Sequence, residues 1–197
     1  GVIFTIFVGF SILIFIAVSA YKDAPPIPLK VVNARGETIF TRDDILAGQQ
    51  VFLKYALMEN GTIWGHGAYL GPDFSAAYLH TLALETAETA AQQLYNRSLA
   101  TLDNTQRDAV EATVQRLLQE NRYDPKTQTL IYSGPESSSY RQQIKEWADY
   151  FTQPKKNGGL KTKYIDNARE LQELTAFFAW TAWASVAHRP GRDYSYT

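Results

Sequence analysis

The sequence contains no cysteine. That excludes disulfides, zinc–cysteine sites and iron–sulfur clusters, and it leaves the compartment open. A dominant charge is missing too: 19 basic residues face 20 acidic ones, for a net charge of −1, and the two signs are interspersed. Such a balance gives no electrostatic footing for nucleic acid. No phosphate loop, dinucleotide fingerprint or nucleophile elbow is present, nor any internal repeat or low-complexity tract. Histidines are scarce, and His66, His80 and His188 stand far apart without a second ligand one helical turn away. Spacing therefore supports neither a zinc nor a haem site. His80 reads as a polar position on a long helix, and His188 as a favourable charge near a helix C-terminus. Glu85 with Glu88, and Glu170 with Glu173, are one turn apart and read as solvated helix faces rather than acid–base pairs. The sequon Asn96-Arg97-Ser98 falls inside a predicted helix and is read as chance.

What is present begins with a long apolar run. Gly1 to Ala20 carries no charge, and its only polar side chains are Thr5, Ser11 and Ser19. At a rise of 1.5 Å per residue, about 20 residues cover the roughly 30 Å hydrocarbon slab. A signal peptide is the rival reading, with Val18-Ser19-Ala20 as a faint cleavage site. The uninterrupted length and the absent basic start favour a span. Tyr21 and Lys22 close it as interfacial anchors. The first residue is not Met, so the natural start is expected upstream. Pro25, Pro26 and Pro28 then favour an extended linker. The remaining length, out of 197 residues, suffices for one good core, and aromatics at 13% suit a dense one.

Lys30 to Phe40 predicts a β-hairpin around Asn33–Glu37, with Val31, Val32, Ile39 and Phe40 inward. Thr41-Arg42-Asp43-Asp44 is close to a capping box and opens a helix to about Tyr55. Its apolar face holds Ile45, Val51 and Phe52, with Leu46 and Leu53 alongside. Asn60-Gly61 marks a turn. Phe74 to about Arg97 predicts a long helix whose core stripe is Phe74, Ala77, Tyr78, Leu82, Leu84 and Leu94. Asp103 restarts a helix to about Asn121, with Val110, Val114, Leu117 and Leu118 inward. Tyr123-Asp124-Pro125 ends it, and Thr129–Tyr132 reads as extended. Ser133-Gly134-Pro135 reads as a loop, after which Ser137 or Ser138 caps a helix to Phe151 that buries Ile144 and Trp147. Lys155–Gly159 is the clearest flexible link. The last helix, from about Asp166 to His188, is apolar on all faces from Leu174 to Ala187. That stretch is too short to span a bilayer and must be buried in protein or lie at the membrane interface.

One stretch organises the rest: Gly65-His66-Gly67-Ala68-Tyr69-Leu70-Gly71-Pro72-Asp73-Phe74-Ser75. Glycines permit close backbone approach, and Asp73 is placed to cap the helix that follows. This stretch, the preceding Gly48-Gln49-Gln50-Val51-Phe52, and the closing Ala187-His188-Arg189-Pro190-Gly191 and Asp193–Thr197 resemble the cytochrome-c-like part of nitric oxide reductases. In the cytochrome-c-dependent branch the interval before Gly65 carries a Cys-x-x-Cys-His haem site. Counting back from Gly65, those places are held here by Leu57, Asn60 and Gly61, and without cysteine no thioether haem can be attached. That loss resembles the quinol-dependent branch.

The resemblance implies a mainly α fold: one transmembrane helix followed by a cytochrome-c-like helical domain with a small β-hairpin. The expected divisions are a membrane helix over 1–21, a Pro-rich linker over 22–30, a haem-less domain over 31–165, and an apolar docking helix and exit segment over 166–197. It implies the N-terminal part of a membrane-bound quinol-dependent nitric oxide reductase of the bacterial inner membrane, with the soluble domain on the periplasmic or extracellular side. Haem b and non-haem iron belong to a catalytic helical bundle beyond this segment, so no catalytic residue is assigned here. The expected partners are that bundle, the lipid bilayer and quinol as electron donor, with no nucleic acid. The family's calcium site at the interface maps onto Gly67 and Tyr69. His66 stands where the haem-bearing branch has an acid, and a docking loop without metal is the alternative. The old haem space is expected to be filled by Leu57, Met58, Trp64 and Phe74. The rival class is an extracytoplasmic sensor or ligand-binding module, which a signalling segment after Thr197 would favour.

Overall fold

The computed structural model describes residues 1–153 and 157–197. Lys155 and Lys156 of the predicted flexible link lie outside the described residues, as does the side chain of the predicted anchor Lys22. The first helix, α1, runs Val2–Asp23. Its Val2–Tyr21 segment has a mean hydropathy of 2.7 and is 0% buried, so it is long and apolar enough to cross a membrane.

The hairpin forms as expected from β1 (Lys30–Val32) and β2 (Thr38–Thr41). Asn33 makes the turn, its Oδ1 accepting from the N–H groups of Arg35 (2.9 Å) and Glu37 (3.0 Å). Val31, Val32 and Phe40 are buried, while Ile39 is half-buried. Consecutive burial of Val31 and Val32 departs from strand alternation because the register shifts between them. The hairpin is half of a larger sheet. β5 (Tyr123–Asp124) and β6 (Thr129–Ile131) complete the order β2-β1-β6-β5, with β6 parallel to β1 through Val31↔Leu130.

The helices start where local chemistry starts them. Thr41 and Asp44 close a capping box on α2 (Arg42–Lys54). Asp73 caps α3 (Phe74–Tyr95), and Asp103 with Gln106 boxes α4 (Asn104–Gln119). α5 (Gly134–Thr152) corrects the sequence reading. Its cap is Ser133, boxed with Glu136, rather than Ser137 or Ser138, and the supposed loop Gly134-Pro135 is its first turn. Proline is tolerated there because its missing N–H would be unpaired anyway. Asn167 caps α6 (Ala168–Val186).

α6 is the central element. Every residue from Leu174 to Ala184 is buried, so its all-round apolar half is enclosed by protein. α2, α3 and α5 pack against it. Gly48 lets α2 approach: a Cβ there would meet the Glu173 carbonyl oxygen at 2.0 Å. Ion pairs flank this contact, Lys54 with Glu170 (2.5 Å) and Arg169 with Asp44 (2.7 Å). Four leucines assigned inward lie outside the core: Leu46, Leu53, Leu84 and Leu94 are 40–53% exposed. On α3 the expected Phe74, Tyr78 and Leu82 are buried, and the stripe continues through Thr86, Ala90 and Ala91 rather than Leu84 and Leu94, because small residues allow α4 to pack close.

Candidate functional site

The loop between α2 and α3 is built from two short strands, β3 (Thr62–Ile63) and β4 (His66–Gly67). Trp64 (φ +53°) and Gly65 (φ +76°) form the tight turn between them. Two positive φ values in succession give the turn whose twist matches a hairpin. Gly67 is required sterically: a Cβ there would meet the Gly61 carbonyl oxygen at 2.3 Å.

Asp73 pins the loop to α3. One carboxylate oxygen accepts from Thr62 Oγ1 and the Gly65 N–H, both at 2.7 Å, and the other accepts from the Ala76 N–H at 2.9 Å. Burial pushes the Asp73 carboxyl up, but hydrogen bonds from Thr62, the Ala76 and Gly65 N–H groups and Ser75 outweigh it, so the pKa falls below its ordinary value. Trp64 ties the loop to α6, its indole N–H donating to the Thr181 carbonyl (2.9 Å) and its ring lying 5.7 Å from that of Trp180. Trp180 in turn donates to the Pro26 carbonyl (3.0 Å) on the linker after α1. The loop's apex is exposed, Tyr69 at 86% and Leu70 at 73%.

The loop therefore presents an apolar apex on a rigid base. Gly67 and Tyr69, the candidate calcium positions, both lie on it. The Asp73 carboxylate is engaged by Thr62 Oγ1 and by the Gly65 and Ala76 N–H groups. Among the described residues no cluster of three His, Cys, Asp or Glu side chains could hold a metal. A calcium ion takes six to eight oxygens, more than the carbonyls of Gly67 and Tyr69 supply by themselves.

Of the residues expected to fill a haem space, three lie in or against an aromatic core. Leu57 and Phe74 are completely buried, and Trp64 packs against the same core. Phe74 stacks on Phe178 with centroids 4.8 Å apart and planes 5° from parallel, and Phe52, Trp147 and Phe151 surround it. Met58 does not contribute as expected; it is 44% exposed. Gly61, which the resemblance sets at the haem-ligating position, has no room for a side chain. A Cβ there would meet the Pro72 carbonyl oxygen at 2.2 Å and Phe74 Cε2 at 2.8 Å. A thioether-linked haem does not fit these residues.

The other candidates separate. His66 and His80 are exposed. The His188 N–H donates to the Gln119 carbonyl at 2.9 Å. Glu170 accepts from Lys54 and from Tyr55 Oη (2.8 Å), and Glu173 from Arg169 (2.6 Å). These carboxylates are ties around the α2–α6 contact, not a proton-transfer pair. Glu88 caps the turn at Leu99 (3.0 Å). Glu85 departs from the solvated reading, since its Oε1 is buried with no hydrogen-bond partner. Sequence reasoning missed Asn60 as more than a turn residue, and missed the pairing of Trp64 with Trp180. Neither follows a motif, and Asn60-Gly61 reads locally as nothing more than a turn.

Residues 28–197 match the family model for the cytochrome c-like domain of the nitric oxide reductase subunit NorB. No curated protein matches the chain.

Proposed function

Because the chain belongs to the NorB cytochrome c-like domain family of nitric oxide reductases, we propose that it is the N-terminal part of a quinol-dependent nitric oxide reductase. The observation that carries the quinol assignment is the packing at Gly61. A domain that receives electrons from a soluble cytochrome needs its own haem, and here the ligand position is closed by Pro72 and Phe74. In this reading the enzyme reduces two nitric oxide molecules to nitrous oxide and water with two electrons from quinol and two protons. The chemistry takes place at haem b and a non-haem iron in a separate helical bundle. This segment's residues do structural work. α1 anchors the chain in the bacterial inner membrane, and the domain over 31–165 covers the periplasmic or extracellular face of the bundle. The 166–197 segment leads toward that bundle, and the Tyr69–Leu70 apex docks on it. Gly67 and Tyr69 contribute carbonyls to a calcium ion shared across that contact.

An optical spectrum of the full gene product, purified from membranes, tests the assignment. The expected result is reduced b-type haem bands with no c-type band, together with nitric oxide consumption supported by quinol and not by reduced cytochrome c. A haem-free spectrum from an intact, folded product overturns it and leaves an extracytoplasmic sensor module as the better account.

A further inference from the structure

The loop after α2, the end of α5 and the segment that follows α5 meet at one amide. Asn60 is 4% exposed. Its Nδ2 donates to the carbonyls of Asn157 (3.3 Å) and Gly158 (3.0 Å), and its Oδ1 accepts from Tyr150 Oη on α5 (3.3 Å). Its own carbonyl accepts from the Gly71 N–H (2.5 Å), which closes the docking loop. The fit around it is tight. A Cβ at Gly71 would meet Asn60 Oδ1 at 2.3 Å and Tyr150 Oη at 2.9 Å. One at Gly158 would meet Asn60 Nδ2 at 2.6 Å and the Leu70 carbonyl oxygen at 2.9 Å. Two glycines thus make room for the same side chain, one in the loop and one in the segment behind it.

We propose that Asn60 is the positioning residue of the docking loop, holding the Tyr69–Leu70 apex in place through Gly71, Gly158 and Tyr150. It stands where the haem-bearing branch carries its second thioether cysteine. A hydrogen-bonded hub therefore occupies the position of a covalent tie. The chemistry suits the task. A side-chain amide offers two donors and an acceptor at one point, and Asn60 uses both kinds. Removing it leaves the Asn157 and Gly158 carbonyls and the Tyr150 hydroxyl without this partner in a largely buried place, so the loop should loosen more than the core. The apex's role as a docking surface rests on the function proposed above; the hub itself does not.

Hydrogen exchange in the full-length, membrane-extracted protein tests the hub. In Asn60→Ala, amide exchange across residues 66–71 should rise about tenfold or more, while peptides from α2 and α6 stay near the wild-type rate. Asn60→Asp keeps the acceptor for Tyr150 but loses both donors, and should loosen 66–71 similarly. Tyr150→Phe deletes only one bond and should act more weakly. Phe52→Leu serves as the control, because it softens the core without touching the hub and should not single out the loop. Exchange across 66–71 that stays at the wild-type rate in Asn60→Ala overturns the proposal. If that variant does not accumulate, the same result in Asn60→Asp does so. A loop-selective change equally large in Phe52→Leu also overturns it. Nitric oxide consumption by the same preparations is the separate readout. A loosened loop in a protein that binds no haem would keep the hub and remove the reductase assignment.

Discussion

Glu85 illustrates how much of the molecule is decided one residue at a time. Its Oε1 is buried and unpartnered. Burial raises its pKa above the ordinary 4.5, the nearby Ser139 hydroxyl opposes the rise, and the charge of Glu146 adds to it. A carboxyl whose folded pKa is raised favours the folded state below the unfolded value and loses that contribution as pH climbs through the folded one. Glu85→Gln should therefore raise the melting temperature at pH 7 by at most about 2 °C, since the group is partly solvated. The gain should fade as pH falls toward 4. Thermal unfolding at the two pH values checks this, and a gain that grew on acidification would contradict it. The sequence placed Glu85 and Glu88 on one helix, but only tertiary packing buries one of them. Asp73 was legible because a cap acts on its own helix. Asn60 was not, because its partners lie about a hundred positions away in the chain.

At the scale of elements, Gly48 decides how α2 meets α6. In an isolated helix Gly→Ala gains about 1 kcal/mol. Here the added methyl would overlap the Glu173 carbonyl and crowd Phe177 Cβ at 2.8 Å. Overpacking outweighs propensity, so Gly48→Ala should cost about 2 kcal/mol net and lower the melting temperature by about 4–8 °C. Calorimetry that found the variant more stable would mean that α2 can slide without loss. The same scale separates what was legible from what was not. The α2, α3 and α4 starts follow from caps and periodicity written in adjacent residues. The α5 start is harder to read because Ser133-Gly134-Pro135 has the composition of a breaker, although Ser133 and Glu136 spell a capping box. Leu84 and Leu94 read as inward because helical periodicity marks an apolar position without identifying its neighbour. α4 packs on Ala90 and Ala91 instead. The parallel pairing of β1 with β6 joins segments about a hundred residues apart, and nothing local in the strands records it.

At the scale of the whole molecule, an aromatic cluster closes the core behind Gly61. Phe74, Phe178, Trp147 and Phe151 fill it with ring-to-ring contacts. Introducing a Cys-x-x-Cys-His motif by Leu57→Cys, Asn60→Cys and Gly61→His together should therefore not produce a c-type chromophore. Expression with haem-attachment machinery should give no c-type band and a protein that unfolds at lower temperature than wild type. A stable product with that band would show that the aromatic core can part. The mainly helical architecture with a leading apolar helix was legible because hydropathy and capping are local. The filled centre was only half legible. Leu57, Trp64 and Phe74 were anticipated, whereas the contribution of α5 and α6 depended on long-range contacts.

The indole chain running from Pro26 through Trp180 and Trp64 to the loop has a mechanical consequence. Arg42 also fastens the Ile27 carbonyl (2.9 Å), and the Leu29 N–H donates to the Gln128 carbonyl (2.7 Å). The linker leaving α1 is thus riveted to the body within a few residues of its start, so it works as a bracket rather than a tether. A domain on a tether would sample every orientation and find its mate by chance. One on a bracket holds the Tyr69–Leu70 apex at a set reach from the foot of α1. In the docking role proposed for the apex, most of the search for a facing surface would then be complete before the two meet.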